Sequence, residues 1–180
     1  MKVLGLSGSL RAGSHNAKLL LAAGNLLPPE AEFVLYDGLK AIPPFDEDDE
    51  HTRPDAVLAL DEAIAGADLV LVSTPEYNHS LPGQFKNALD WMSRPLASSP
   101  LRNKPVAVVG ASTGLFGAVW AQAEARKVLA AIGARVIDRE LPVGMAHDAF
   151  NADGTLADED QSLALAGILA ELAGELVAAA

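Results

Sequence analysis

The sequence predicts a doubly wound α/β fold, in which a five-stranded parallel sheet carries helices on both faces. Two observations carry this prediction. Short apolar runs rich in valine and leucine alternate with longer segments of helical periodicity, as parallel strands and their crossover helices do. Loops of small and polar residues follow the first, third and fourth apolar runs, at the edge where open α/β sheets bind ligands.

The first half of the chain contains three predicted strands, over residues 2–6, 31–36 and 67–74. A helix from His15 to Leu27 ends at Pro28-Pro29, because proline cannot continue a helix. A shorter helix covers residues 54–65. Asp37 to Asp55 is a long polar connection that includes a run of acids, which we expect to be either functional or mobile.

The second half continues the alternation. Pro82 suits the first position of a helix that runs to Met92, because its ring fixes φ near the helical value. A fourth strand covers residues 106–110, a helix over 118–132 ends at Gly133, and a fifth strand begins at Arg135. With right-handed crossovers, these elements suit the strand order 2-1-3-4-5, known as flavodoxin-like. No linker or repeat divides the chain, so residues 1–180 are expected to form a single domain.

The apolar tail from Leu163 to Ala180 is predicted to be an amphipathic helix that packs on the domain. Its leucines recur at helical spacing, and it contains Glu171 and Glu175, so membrane insertion is not expected. The first ten residues do not have the pattern of a signal peptide, because their apolar stretch is short and soon reaches Ser7-Gly8-Ser9.

Composition excludes several classes of function. The chain has no cysteine, which excludes disulfides, thiolate catalysis and cysteine-ligated metals, and is compatible with the cytoplasmic location that we expect. The formal net charge of −11 argues against electrostatic binding of nucleic acid or of an anionic membrane over a broad surface. The four histidines lack metal-ligand spacing, so no metal site is expected.

The loop Gly8 to Asn16 lies between the first strand and the first helix and is predicted to hold a monophosphate. Its glycines allow a tight turn whose N–H groups can face one anion, and the following helix presents its positive end. Candidate ligands in the loop are Ser9, Arg11, Ser14, His15 and Asn16. The loop is neither a P-loop nor a dinucleotide fingerprint. The alternative is an ordinary strand–helix turn with a serine cap.

Two further loops are expected at the same edge. In the loop from Pro75 to Pro82, the prolines restrain the backbone, and the Tyr77 ring could form one side of a slot for a planar flavin. The alternative makes Tyr77 a core-edge aromatic and Asn78 a turn residue. The third loop, from Ala111 to Gly117, has glycines that allow its backbone to approach a ring closely. Trp91 and Trp120 are interpreted as packing or interface aromatics, with flavin stacking as an alternative for Trp120.

Together the three loops resemble the NADPH-dependent FMN reductase family, which includes flavodoxin-like quinone and chromate reductases. The matching segments are residues 8–16, 74–78, 80–83 and 86–91, and the similarity extends from Lys2 to about Val136. The sequence has His79 where a small residue is common. It reads Gly117-Ala118-Val119-Trp120 where many relatives have paired glycines followed by an arginine.

The resemblance implies FMN as cofactor, NADPH or NADH as co-substrate, and a quinone or another small-molecule electron acceptor. It places the FMN phosphate on the loop that contains Ser9 to Asn16, and it implies dimers or tetramers. It assigns the isoalloxazine to two groups of residues, which are Pro75, Glu76, Tyr77 and Asn78, and Ser112, Thr113, Gly114 and Gly117. No acid–base side chain is required, because the cofactor performs the chemistry. The alternatives are a flavodoxin-type electron carrier without its own reductase activity and a binding module that has lost its flavin.

Overall fold

The sheet has the predicted strand order. The computed structural model describes residues 1–178, and its five main strands are β1 (Lys2–Ser7), β2 (Glu32–Tyr36), β3 (Leu69–Ser73), β4 (Pro105–Ala111) and β5 (Arg135–Val136). They lie in the order β2-β1-β3-β4-β5, and all neighbouring pairs are parallel. This arrangement confirms the flavodoxin-like topology expected from the sequence.

The fifth position in the sheet is shared by two short strands, where the sequence predicted one. β5 pairs with the start of β4, and β6 (Pro142–Val143) pairs with its end. Between them the chain leaves the sheet, and two of its charged side chains form ion pairs with residues on helices. Arg139 lies 3.5 Å from Glu171, and Glu140 lies 3.1 Å from Arg126.

Five helices cover the two faces of the sheet, as a doubly wound fold requires. The helices are α1 (His15–Asn25), α2 (Asp55–Ala65), α3 (Gly83–Met92), α4 (Val119–Ile132) and α5 (Glu159–Ala178). α1 and α5 bury leucines against one face, and α2, α3 and α4 pack on the other. The predicted C-terminal helix is confirmed over the described residues and begins at Glu159, four residues before Leu163; residues 179–180 lie outside them. None of these helices is long and apolar enough to cross a membrane.

The long connection between β2 and α2 is anchored to α3 over residues 39–45. Gln84 donates from its amide to the carbonyl oxygens of Leu39 and Ile42, at 2.7 and 2.8 Å. Trp91 is fully buried and donates from Nε1 to the carbonyl oxygen of Pro43 at 2.9 Å. Trp91 is therefore a packing residue, as predicted, and it fixes part of a segment that composition alone suggested to be functional or mobile.

Candidate functional site

The three loops predicted to bind a ligand meet at the carboxyl edge of the sheet. They enclose a cleft of about 150 Å³ that is lined by Ser9, Arg11, Ser14, His15, Asn16, Pro75, Glu76, Tyr77, Ala111, Ser112 and Thr113. Asn78, Gly114 and Gly117 were also predicted to bind the ligand, and they lie in the same loops outside this lining. Parallel strands end at one edge, so loops distant in sequence become neighbours there.

The loop after β1 has the main-chain groups that a phosphate requires. Among its N–H groups, those of Ala12, Gly13, His15 and Asn16 have no acceptor among residues 1–178. Ser14 caps α1, because its Oγ accepts from the N–H of Ala17 at 3.1 Å. The loop can therefore cap α1 through Ser14 and bind an anion at the same time. Free amides at a helix N-terminus fit the phosphate of FMN.

Arg11 adds a positive charge beside these amides. Its guanidinium folds back over the loop, and Nη2 donates to the carbonyl oxygen of Gly13 at 2.8 Å. The residue is exposed, and it lines the cleft together with Ser9. A guanidinium held next to unpaired N–H groups strengthens an anion site, because hydrogen bonds to charged groups are stronger than neutral ones.

Asn16 is buried, and its side chain makes three hydrogen bonds within the protein. Its Oδ1 accepts from the hydroxyl of Ser73 at 2.8 Å and from the N–H of Ala111 at 2.9 Å. Its Nδ2 donates to the carbonyl oxygen of Ala111 at 2.9 Å. The side chain thus joins α1 to the ends of β3 and β4, and only the main-chain N–H of Asn16 remains for a phosphate.

His15 lies at the first position of α1 and stacks on Phe150, with ring centroids 6.3 Å apart and an interplanar angle of 8°. Its buried Nδ1 has no hydrogen-bond partner among the described residues. Burial lowers the pKa of His15, and the charges of Arg11, Lys18 and His147 lower it further. The ring therefore stays neutral near pH 7, and the positive charges of Arg11 and Lys18 beside it favour an anion.

The loop after β3 is a two-residue hairpin. The main chains of Tyr77 and Ser80 exchange two hydrogen bonds of 3.1 Å, and Asn78 and His79 between them have φ of 55° and 60°. Two consecutive left-handed residues define the type I′ turn, which matches the twist of the strands and accepts asparagine readily. Asn78 is thus a turn residue, and Tyr77 is exposed on the cleft side of the hairpin.

Glu76 fastens this hairpin to α4. Its Oε2 accepts from the N–H groups of Trp120 and Ala121, at 3.1 and 3.2 Å, and only 13% of the side chain is exposed. The carboxylate therefore caps a helix whose own N-cap residue, Ala118, has no side-chain oxygen. A carboxylate at this helix end is favourable, because the unpaired N–H groups carry partial positive charge.

A second carboxylate, on Glu124, holds the other end of the hairpin. Its Oε2 accepts from the Ser80 hydroxyl at 2.6 Å and from the Leu81 N–H at 3.2 Å. The hydrogen bond from Ser80 is the main reason that the pKa of Glu124 lies below its ordinary value. Sequence reasoning missed Glu124, because it lies 44 residues from its partner and resembles any solvated glutamate on a helix.

The loop after β4 packs tightly against β6. Gly117 has φ of +57°, and a Cβ there would lie 2.6 Å from the main-chain nitrogen of Val143. The buried side chain of Gln122 donates from Nε2 to the carbonyl oxygen of Gly117 at 2.9 Å. Its Oε1 accepts from the Leu141 N–H at 3.1 Å. Only glycine satisfies both the backbone and the space at residue 117.

Three aromatic side chains form a row along the rim of the cleft, between the second and third loops. The rings of His79 and Trp120 meet edge to face at 4.9 Å, and those of Trp120 and Phe116 lie 5.3 Å apart. We call His79, Trp120 and Phe116 the rim row. Trp120 is 44% exposed and Phe116 is 62% exposed, so Trp120 does not have a core-packing role within one chain.

A larger and more open hollow, of about 560 Å³, lies beside the start of α5. Its charged lining residues are Asp148, Asp158, Glu159 and Asp160, and no basic side chain lines it. An acidic lining repels a phosphate dianion, so size does not make this hollow the better candidate for a nucleotide.

Comparison with known proteins agrees with the geometry. The model of the NADPH-dependent FMN reductase family matches residues 1–148. An NAD(P)H-dependent FMN reductase of Pseudomonas aeruginosa is 42% identical over 161 residues, which cover 88% of this chain and 86% of that protein. A 2-hydroxy-1,4-benzoquinone reductase of a Burkholderia species is 35% identical over 161 residues, with coverage of 89% and 87%.

A solved structure gives the same result. The flavoenzyme NAD(P)H:(acceptor) oxidoreductase FerB of Paracoccus denitrificans superimposes with a TM-score of 0.82 at 35% identity. The alignment covers 95% of this chain and 94% of FerB. The family match over residues 1–148 includes the whole sheet and all three loops of the cleft.

Proposed function

Because the chain belongs to the NADPH-dependent FMN reductase family and so works with FMN and NAD(P)H, we propose that it reduces a quinone or a similar small-molecule acceptor. The observation that carries the proposal is the set of unpaired N–H groups beside Arg11, directly next to the hairpin that contains Tyr77. Relatives named FMN reductase and benzoquinone reductase support the same acceptor class. A flavodoxin-type carrier is not favoured, because the family is one of reductases.

The FMN phosphate is assigned to the β1–α1 loop. The main-chain N–H groups of His15 and Asn16, the hydroxyl of Ser9 and the guanidinium of Arg11 would hold it. Ser14 contributes by capping α1, so that the helix end stays in place. The side chain of Asn16 acts indirectly, since it fixes α1 to β4.

The isoalloxazine is assigned to the other two loops. The N–H groups of Glu76, Asn78 and Thr113 have no acceptor among residues 1–178 and are suited to the polar edge of the ring. Backbone donors of this kind stabilise the negative charge that a reduced flavin carries. Bound FMN would supply the two-electron chemistry between NAD(P)H and the acceptor. No side chain is required to move a proton in the first half of that chemistry.

Contact between copies of the chain would cover apolar side chains next to the rim row and leave the rim row accessible. Leu115 is 74% exposed and Met145 is 48% exposed. We assign these two side chains to contact between copies of the chain, as a homodimer or homotetramer, because exposed apolar patches beside a site mark interfaces. Light scattering of the purified protein, and of a Leu115→Ser variant, tests the assignment. A cytoplasmic location is also proposed, and cell fractionation tests it.

The proposed function is tested by visible spectroscopy. Protein titrated with FMN should bind it with a shifted flavin spectrum, and anaerobic NADPH should then bleach that spectrum. If the protein binds FMN but NADPH does not bleach the flavin spectrum, the protein is an electron carrier. If the protein does not bind FMN, the proposal is refuted.

The phosphate assignment has its own test. Arg11→Ala should weaken FMN binding by about 10- to 100-fold, which is the loss of affinity expected when one hydrogen bond to a charged group is removed. Arg102→Ala removes the same charge from an exposed residue just before β4, at the opposite edge of the sheet, and should leave affinity unchanged. Equal affinities for the two variants would show that Arg11 does not hold the phosphate, even if bleaching by NADPH is normal.

A further inference from the structure

His79 stands at the tip of the hairpin and spans the gap between two loops of the cleft. Its Nδ1 lies 3.4 Å from Oε1 of Glu76, and its ring and that of Trp120 are nearly perpendicular, with an interplanar angle of 89°. The side chain is 76% exposed, and its Nε2 has no partner among the described residues. One ring nitrogen is therefore held by a carboxylate, and the other is open to solvent and to a ligand at the rim.

The carboxylate that contacts His79 is itself fixed. The two N–H groups at the start of α4 hold Oε2 of Glu76, which leaves Oε1 for the imidazole. Such a contact orients the ring and selects which nitrogen carries the proton. Glu76 is thus a positioning residue, and the imidazole is presented in one orientation.

The other charged groups near His79 lie around the far end of the hairpin. Glu124 on α4 binds Ser80, the residue after His79, and Lys86 on α3 and Lys127 on α4 lie close enough to Glu124 to influence its charge. Among the described residues, Lys86 forms an ion pair with Asp90, and neither lysine has a hydrogen bond to His79. The immediate electrostatic partner of His79 is therefore Glu76.

Reduction of a quinone to a hydroquinone consumes two electrons and two protons. The hydride that originates from NAD(P)H supplies both electrons and one proton, so one more proton must reach an acceptor oxygen. On the basis of the proposed function, we propose that His79 donates this proton. Its N–H bond breaks as the O–H bond of the hydroquinone forms, and the neutral imidazole then recovers a proton from water through its exposed side.

The rim row indicates the shape of the acceptor. Trp120 lies next to His79, and Phe116 lies next to Trp120; both rings are exposed. A planar aromatic molecule can pack on them while its carbonyl oxygen faces the imidazole. The site therefore favours planar acceptors that carry carbonyl groups over compact inorganic anions. The acidic net charge of the chain adds to this preference.

Stopped-flow reoxidation of the prereduced holoenzyme tests the assignment with two acceptors. Benzoquinone takes up protons on reduction, whereas ferricyanide takes one electron and no proton. The variant His79→Asn is suitable, because asparagine tolerates the left-handed backbone at residue 79. Its rate with benzoquinone should fall about 100-fold, within the range of general acid catalysis, while its rate with ferricyanide stays unchanged. The control His51→Asn changes an exposed histidine outside the cleft lining and should alter neither rate.

The outcomes distinguish the role of His79 from the proposed function. An unchanged rate with benzoquinone, or an equal loss with both acceptors, refutes the role of His79. A wild-type protein that reduces neither acceptor refutes the proposed function instead.

A measurement without cofactor tests the geometry separately. The imidazole of His79 lies against the indole of Trp120, so tryptophan emission of the apoprotein should differ between the wild type and His79→Asn. The buried Trp91 contributes equally to both proteins. Identical emission spectra for the two proteins would contradict the contact between His79 and Trp120.

Discussion

Replacement of Asn16 by alanine should destabilise the fold more than any other single change in the β1–α1 loop. The substitution removes three buried hydrogen bonds of 2.8–2.9 Å and leaves the Ser73 hydroxyl and both main-chain groups of Ala111 without partners. Each unsatisfied buried group costs about 1–3 kcal/mol. Since water can enter from the cleft and satisfy some of these groups, we expect a loss of about 3–5 kcal/mol. That is a large part of the roughly 5–15 kcal/mol that stabilises a domain.

Urea denaturation of the apoprotein measures this loss through the unfolding midpoint at constant m-value. Asn151→Ala is the matched control, because its amide also makes two hydrogen bonds, at 3.0 and 3.3 Å, but in an exposed turn. The control should cost about 1 kcal/mol or less. Ser73→Ala removes only one of the three bonds and should lie between the two variants. A cost below about 1 kcal/mol for Asn16→Ala would mean that the three bonds do not hold α1 to β4.

Two other predictions follow from the same site. Gly117→Ala should cost about 2–4 kcal/mol in urea denaturation, because it combines a left-handed backbone with a clash against Val143. Gly114→Ala in the same loop meets only the Ser112 hydroxyl at 3.4 Å and should be tolerated, so equal effects would contradict the argument. The pKa of His15 is lowered on folding, chiefly by burial, so the unfolded chain binds a proton near pH 6.5 that the native apoprotein does not. Stability should therefore fall as the pH drops through 6.5, and His15→Gln should reduce this fall; parallel pH profiles for both proteins would be the contrary result.

The parts of the fold that sequence patterns predict are those that depend on local signals. A strand buried on both faces, such as Leu69–Ser73, has an unbroken apolar run, and helix ends have glycine or proline near them. β6 has only two residues, and its place in the sheet depends on pairing with the end of β4, about thirty residues earlier in the chain. No local pattern distinguishes such a strand from a loop, so the divided fifth position could not be predicted.

The candidate site also has features that the sequence predicts and features that it does not. The loops that form the cleft were located correctly, because their position after strands is a property of the topology. The roles of single polar side chains were not predictable, since they depend on partners far away in sequence. Asn16 donates to a carbonyl oxygen that lies 95 residues later in the chain. Glu76 accepts from an N–H group at the start of α4, which is separated from it by 44 residues.

The cap on α4 shows that a polar side chain in a ligand-binding loop can have a structural role instead of a contact with the ligand. Ala118 has a left-handed backbone and no oxygen in its side chain, so the first N–H groups of α4 require an acceptor from another segment. Glu76 meets that requirement, and the same carboxylate contacts His79. Two loops of the cleft are therefore joined through one side chain. A shift of the hairpin would uncap the helix, and this coupling keeps the imidazole and the rim row in register with the rest of the cleft.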